Sequence, residues 1–478
     1  MRIETLFLRN FRGYTEREFA LHPQFNLVIG ENGSGKTSFL EASAVAIGSW
    51  LLGFPGQDSR HILERDVRRV LEMVERRYRE LPQYPVQVRA TGFVHIAKAA
   101  RASDGEIRYL PSENANALNP REAYVHWERS IDKAGGKTTR RFANSLKAYA
   151  DSMAAAVLKQ DPRILPLVRY FGGGRLWESV RDTHRKTVSG LQGRQPAQLS
   201  EDIDELEELL KDSEELSKPF YGYRMSVDKR CNPDDLIRWM GIERRNEIDE
   251  EQSLPALRLV YAAIESMMPE IESARYSVKL RTLVLKYRNG ERHTFSELSD
   301  GYRNVVAIVA DLAIKAAMLN PQLAEKALEM TPGVVLIDEL DLHLHPKWQR
   351  RIISDLRRTF PMLQFICSTH SPFLIQSLRS GEELIVLDGQ PTAALGHMPV
   401  EEIARGIMGV SNTEVSEEYE EMKQAARHYL EILEEAKQAP EEKQAEFREQ
   451  LAKSIAPYAH NPAYQAFLEM KRAAALGE

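Results

Sequence analysis

Two cysteines among 478 residues, Cys231 and Cys367, are too few and too far apart in sequence for a disulfide framework or a metal knuckle. No stretch approaches the roughly twenty consecutive apolar residues that a membrane-spanning helix needs. Neither sign of charge dominates. The 64 Lys and Arg against 70 Asp and Glu leave a net charge of -6, so whole-chain electrostatics do not mark a nucleic-acid binder. Internal repeats, low-complexity tracts and sustained heptads are missing too, which excludes a solenoid or a long coiled coil. The opening residues lack a charged leader followed by an apolar run and a cleavage site. They go straight into a strand-like Arg2-Ile3-Glu4-Thr5-Leu6, and the expected location is the cytoplasm.

What is present is an ordinary globular composition, 43% hydrophobic and 28% charged, in a chain long enough for two to three domains. An apolar strand, Phe25-Asn26-Leu27-Val28-Ile29, runs into Gly30-Glu31-Asn32-Gly33-Ser34-Gly35-Lys36-Thr37, and an Ala- and Leu-rich helix follows from Thr37 to Trp50. That loop matches G-x-x-x-x-G-K-[ST] in the required place between strand and helix. Its glycines let the backbone fold tightly around phosphate oxygens, so several N–H groups and the positive end of the helix dipole meet one anion. Lys36 is expected to bridge the β- and γ-phosphates of ATP, and the Thr37 hydroxyl to ligate Mg²⁺.

A second apolar run, Val334-Val335-Leu336-Ile337, is too short for a typical helix and ends in Asp338-Glu339. Ligands bind at the carboxyl ends of parallel strands. Asp338 is therefore placed to hold a metal-bound water and Glu339 to orient or deprotonate the attacking water. His370, at the end of Gln364-Phe365-Ile366-Cys367-Ser368-Thr369, is placed to reach a γ-phosphate. Between these halves, Ser299-Asp300-Gly301 opens the apolar helix Val305 to Met318 as an anion-ready N-terminus.

Elsewhere the pattern predicts a charged helix over Leu63 to Leu81, strands over Val86 to Val94, Tyr124 to Ile131, Ile164 to Phe171 and Ser277 to Tyr287, and a helix over Asn144 to Lys159. An acidic helix is expected over Glu201 to Leu216. Beyond a brief strand at Leu384 to Leu387 the chain reads as charged helix over Val415 to Gln438 and Glu441 to Ile455. A terminal amphipathic helix, Ala463 to Leu476, would put Tyr464, Phe467, Leu468 and Ala475 near one face, fit to dock a partner or to pack on its own domain.

Taken together these motifs resemble the ABC ATPase head of the RecF, SMC and overcoming-lysogenisation-defect group. Gly30 to Thr37 resembles its Walker A motif, with Ser38 following, and Leu298-Ser299-Asp300-Gly301-Tyr302 resembles its signature motif. Val334 to Glu339 resembles Walker B, Asp341 sits where the D-loop aspartate does, and His370 where the switch histidine does. The opening Leu8-Arg9-Asn10-Phe11-Arg12-Gly13-Tyr14 also resembles this group and makes Arg12 a candidate phosphate contact. Asp300 and Tyr302 depart from the transporter-type signature, and the Q-loop glutamine stays unassigned. Glu339-Leu340-Asp341 through Pro346, the stretch Gly172 to Trp177, and the tail from Asn461 to Arg472 are similar to the ATPase subunit of Septu and related retron antiphage systems.

The resemblance implies an α/β fold, an ABC-type P-loop head with a two-lobed mixed sheet flanked by helices. It divides the chain into an N-terminal lobe (1–178), a helical insertion (179–252), a C-terminal lobe (253–390) and a helical C-terminal region (391–478). It also implies ATP and Mg²⁺ as ligands, a dimer or higher homo-oligomer in which one copy's signature completes the other's site, and an HNH nuclease partner. Two alternatives stay open: an ATPase that clamps DNA in repair, and one with its own nuclease activity. The tail lacks the carboxylate pattern or His-Asn-His arrangement a nuclease would need, and the basic stretches Arg65 to Arg79, Lys133 to Arg141 and Lys347 to Arg358 are the candidate nucleic-acid contacts. His343 and His345 belong to the loop after Walker B rather than to a zinc site.

Overall fold

The computed structural model describes residues 1–74, 77–101, 106–110, 122–175, 220–251, 254–387, 399–400, 402–403, 408, 417–438 and 462–476. The chain divides into two compact units, Met1–Met398 and Pro399–Glu478.

The first unit is built around a five-stranded parallel sheet in the order Leu167–Phe171, Gly333–Ile337, Leu363–Ser368, Phe25–Ile29, Leu384–Val386. The first four are buried along their whole length, as continuous apolar strands of a covered parallel sheet are. Helix Lys36–Gly48 lies against them and is buried on nearly every side, its Glu41 included. A four-stranded antiparallel sheet, ordered Tyr14–Ala20, Arg2–Phe11, Val86–His95, Glu122–Ile131, covers its other side. Trp127 Nε1 donates to the Ala46 carbonyl at 3.0 Å, and Gln364 exchanges two bonds with the Ile3 backbone at 2.7 and 2.8 Å. These polar pins fix one sheet on the other. A three-stranded sheet, Ile271–Ser277, Thr282–Tyr287 and Arg292–Thr294, precedes the long helix Asp300–Leu319.

Several sequence expectations need correction. Leu63 to Leu81 is not a helix but a two-stranded hairpin, Arg69–Val74 with Arg77–Pro82. Cross-strand charge pairs such as Arg69 with Glu80 at 3.2 Å favour the hairpin, and Leu71, Met73 and Tyr78 stay exposed on it. The strand expected over Ser277 to Tyr287 is two strands with a turn between them, and the one over Ile164 to Phe171 starts at Leu167. The helices expected over Glu201 to Leu216 and Glu441 to Ile455 lie outside the described residues. Of the expected insertion, the described part contains helix Pro233–Asp249, capped by Asn232.

In the second unit, helices Glu417–Gln438 and Pro462–Leu476 pack through Tyr429, Leu433 and Leu468. Leu468 is fully buried in that contact while its neighbour Phe467 is 47% exposed, so the two do not share a face. Among the described residues no helix is long and apolar enough to cross a membrane.

Candidate functional site

The phosphate loop leaves the buried strand Phe25–Ile29 and enters helix Lys36–Gly48. Gly33 at φ +88° and Gly35 at φ +103° take the left-handed turn that L side chains resist, and a Cβ on Gly35 would also press on the Tyr14 phenol at 3.0 Å. Tyr14 Oη donates to the Gly35 carbonyl at 3.1 Å, buttressing the loop from the antiparallel sheet. Lys36 folds back to donate to the carbonyls of Gly30 and Glu31 at 2.7 and 2.9 Å. Asn32 is exposed at the loop tip, the Ser34 hydroxyl is buried with no hydrogen-bond partner, and Ser38 sits in the first helical turn.

Across the sheet, the Thr37 hydroxyl donates to Asp338 Oδ2 at 3.1 Å, although 301 residues separate the two. Asp338 is 6% exposed, and its other oxygen accepts from Ser368 Oγ at 2.5 Å. Ser368 in turn accepts from the Glu339 N–H at 2.8 Å. Glu339 itself is exposed and stands at φ +52°, a left-handed conformation costly for a residue with a Cβ. Asp341 accepts from Thr369 Oγ1 at 2.5 Å and from the His370 N–H at 3.4 Å, which sets the exposed His370 at the rim beside Glu339 and Asp341. The parallel register brings these groups together, because Gly333–Ile337 and Leu363–Ser368 pair residue for residue and end side by side.

On the outer flank, strand Leu167–Phe171 ends in Gly172-Gly173-Gly174. A Cβ at Gly173 would stand 3.2 Å from the Glu339 carboxylate, so the position facing that carboxylate is side-chain-free. Arg175 follows, 3% exposed. Its guanidinium is lowered to about 10 by burial, offset in part by the charges of Asp338 and Glu339. Burial likewise raises the Cys231 thiol to about 12 and the Cys367 thiol further, so both stay protonated.

The signature segment is a different surface. Ser299 is the N-cap of helix Asp300–Leu319, yet its side chain makes no capping bond. Gly301 lies so close to the loop after Asp341 that a Cβ would meet the His343 carbonyl at 2.4 Å. Ser299, Gly301, Tyr302, His345, Lys347 and Trp348 line a cavity of about 550 Å³. Tyr302 is held there by Glu270 at 2.9 Å and stands edge-on to Trp348 at 5.1 Å.

Arg12, at φ +48°, is ion-paired with Asp66 at 2.7 Å and lies 3.9 Å from Glu41. Glu41 is buried and also pairs with Arg60 and Lys229. Within the basic stretch Lys347 to Arg358 several cations are engaged internally: Arg351 and Arg358 pair with Asp355, and buried Arg357 pairs with Glu383. His343 and His345 belong to no cluster of three or more metal-ligating side chains among the described residues. Sequence reasoning missed Ser368, Thr369, Arg175 and Asn304 as parts of the site. Arg175 lies within the Gly172 to Trp177 stretch singled out for its resemblance, and the other three had only their position at the ends of the strands and helix that carry the motifs.

A P-loop on one parallel strand, paired carboxylates on the next but one and a capped signature helix define the class: an ABC-type P-loop ATPase head. More particularly, the chain belongs to the AAA domain family, whose model matches residues 5–272. It is 32% identical over 190 residues to the Retron Vc95 probable ATPase of Vibrio cholerae serotype O1 biovar El Tor, covering 39% of this chain and 36% of that one. It is 24% identical over 417 residues to the Retron Ec83 probable ATPase of Escherichia coli, covering 82% and 72%. It is 39% identical over 98 residues to the Septu protein PtuA of Bacillus mycoides (strain KBAB4), covering 20% and 13%. The matched part thus spans about a third of the Vibrio relative and about an eighth of the Bacillus one.

Proposed function

We propose that the chain hydrolyses ATP at two composite sites formed when two copies pair head to tail, and that it works as a nucleotide switch in antiphage defence controlling a partner HNH nuclease. The observation that carries this reading is the meeting of Thr37 and Asp338 at 3.1 Å, with Glu339 next in the chain and glycines beside it. Magnesium fits there, since both donors are hard oxygens and the loop holds an unpartnered buried hydroxyl, Ser34. Bound there, Mg²⁺ would neutralise charge on the phosphates during transfer.

The residues of the chain do the rest. The loop N–H groups from Gly30 through Ser38, Asn32 and Gly33 included, cradle the phosphates, and Lys36 exchanges the Gly30 and Glu31 carbonyls for phosphate oxygens. Glu339 orients and deprotonates the attacking water, His370 contacts the γ-phosphate, and Asp341 positions His370. Ser299 and the N–H groups near Gly301 supply the remaining anion contacts to the other copy's nucleotide, which explains an N-cap hydroxyl with no bond of its own. Arg12 adds a cation at the edge of the site, its charge shared with Asp66. The defence role draws on the likeness to the two retron ATPases and the Septu protein.

Turnover and solution mass, measured together with ATP and Mg²⁺, test the reading. Wild type should hydrolyse ATP, and Glu339→Gln should lose turnover by on the order of 10² or more while an ATP-stabilised dimer accumulates. Normal hydrolysis by Glu339→Gln, with no change of mass on adding ATP, would overturn the carboxylate assignment and the composite site together.

A further inference from the structure

Arg175 is a charged side chain in the floor of the site that belongs to none of the nucleotide motifs, yet it is only 3% exposed. Its guanidinium donates to the Asp338 carbonyl at 2.7 Å, the Glu339 carbonyl at 3.3 Å and the Gly172 carbonyl at 3.0 Å. The remaining donor, Nε, goes to Asn304 Oδ1 at 2.6 Å. None of these acceptors is a carboxylate, and a buried cation without a bonded anion is costly to keep. What it gains is geometry, because its planar fork spans three elements at once.

The first element is the turn Asp338–Glu339, where the peptides on both sides of the left-handed Glu339 are held, the Asp338 and Glu339 carbonyls by Arg175 and the Glu339 N–H by Ser368. The second is the Gly172–Gly174 loop that makes room for the Glu339 carboxylate. The third is the helix that Ser299 opens. Asn304 sits one turn into it, is 2% exposed, and uses its amide nitrogen to donate to the Leu342 carbonyl at 3.1 Å. Movement of the signature helix therefore reaches the Glu339 backbone by two routes, through the Arg175 guanidinium and through the Leu342 peptide, whose N–H donates to the Glu339 carbonyl at 3.1 Å; only the guanidinium also ties in the Gly172 loop.

We propose that Arg175 is a positioning residue for ATP hydrolysis: it holds the Glu339 turn in its left-handed form and, through Asn304, makes the orientation of the Glu339 carboxylate depend on the placement of the signature helix. The inference rests on the assignment of Glu339 as the base. A lysine could satisfy one or two of the four acceptors but cannot bridge all three elements.

The test compares Arg175→Ala, Arg175→Lys, Asn304→Ala and Glu339→Gln with wild type by steady-state ATP turnover, equilibrium binding of a fluorescent ATP analogue and thermal melting. Arg175→Ala should lower kcat on the order of a hundredfold and shift KM and analogue affinity by less than about threefold, with Arg175→Lys intermediate. The effects of Arg175→Ala and Asn304→Ala should combine less than additively in the double variant, since both cut the Arg175–Asn304 bond while Asn304→Ala alone also frees the Leu342 carbonyl. The inference is overturned if kcat of Arg175→Ala stays within about threefold of wild type while Glu339→Gln is inactive. It is equally overturned if Arg175→Lys melts like wild type yet loses binding and turnover in equal measure. Hydrolysis by Glu339→Gln at the wild-type rate would remove the base assignment, and with it this role for Arg175.

Discussion

The two functional surfaces of the head differ in how their polar atoms are used. Around Asp338 nearly every group is committed: Thr37, Asp338, Ser368 and the Glu339 N–H form one chain of hydrogen bonds, and Thr369 and Asp341 pair beside it. Around Ser299 the N-cap hydroxyl makes no capping bond and the helix start borders a cavity of about 550 Å³. On the proposed reading the first arrangement is the catalytic half, assembled within one chain. On the same reading the second is a half whose anion donors serve the phosphate loop of the other copy. A composite site is the simplest assembly in which both make sense, and the contrast predicts that damage on the two surfaces has different signatures.

The largest effects should separate the surfaces cleanly. Lys36→Ala removes the loop's cation, so equilibrium binding of an ATP analogue should be lost together with turnover, a fall of at least the order of a hundredfold. Ser299→Arg should abolish turnover to a similar extent and leave binding to the separated subunit within a few-fold of wild type. Gly301 is a poorer probe of that surface, since any side chain would collide with the His343 carbonyl and disturb the loop after Walker B itself.

A smaller effect should sharpen the account of the committed half. Ser368→Ala removes the donor to Asp338 and leaves the Glu339 N–H without its acceptor. Turnover should fall about tenfold, the rate equivalent of about 1.4 kcal/mol. Chemical denaturation should show a loss of about 1–3 kcal/mol, the usual cost of an orphaned buried polar group. Full activity with unchanged stability would mean that the network is incidental.

The smallest effect lies outside both surfaces and should leave turnover alone. Burial, with help from Glu247 and Glu250, raises the Glu243 carboxyl from 4.5 to about 7. Because the folded chain holds this proton more tightly than the unfolded one, stability declines as pH rises through that window, and the cost is fully present above pH 7. Glu243→Gln should therefore melt like wild type below about pH 4.5, gain a small advantage as pH rises to 7, and keep it beyond.

Much of the site was legible because its chemistry needs fixed residues at the ends of short apolar runs. The strands at Phe25 and Val334 could be read from apolar runs bounded by a glycine turn and a carboxylate pair, and the register then brought Thr37 to Asp338. The hairpin at Arg69–Pro82 was misread because Val67, Val70, Leu71 and Val74 fall at helical spacing. The structure instead bridges buried Val67 to Phe11 and leaves Leu71 in solvent, so the cross-strand pairing of Arg69–Val74 with Arg77–Pro82 outweighed helical periodicity. Arg175 and Asn304 were invisible as partners for a related reason. They lie 129 residues apart, and the need for a guanidinium there arises from a backbone turn at Glu339 that no sequence pattern announces.

Mixing two inactive variants tests the composite site most directly. Lys36→Ala keeps an intact signature, and Ser299→Arg keeps an intact phosphate loop. Combined one to one, half of the randomly formed dimers would be mixed, each with one complete and one doubly damaged site, so turnover should recover to about a quarter of wild type. A mixture as inactive as its components, under conditions where exchange of subunits is shown by mass, would contradict the claim that one copy completes the site of the other.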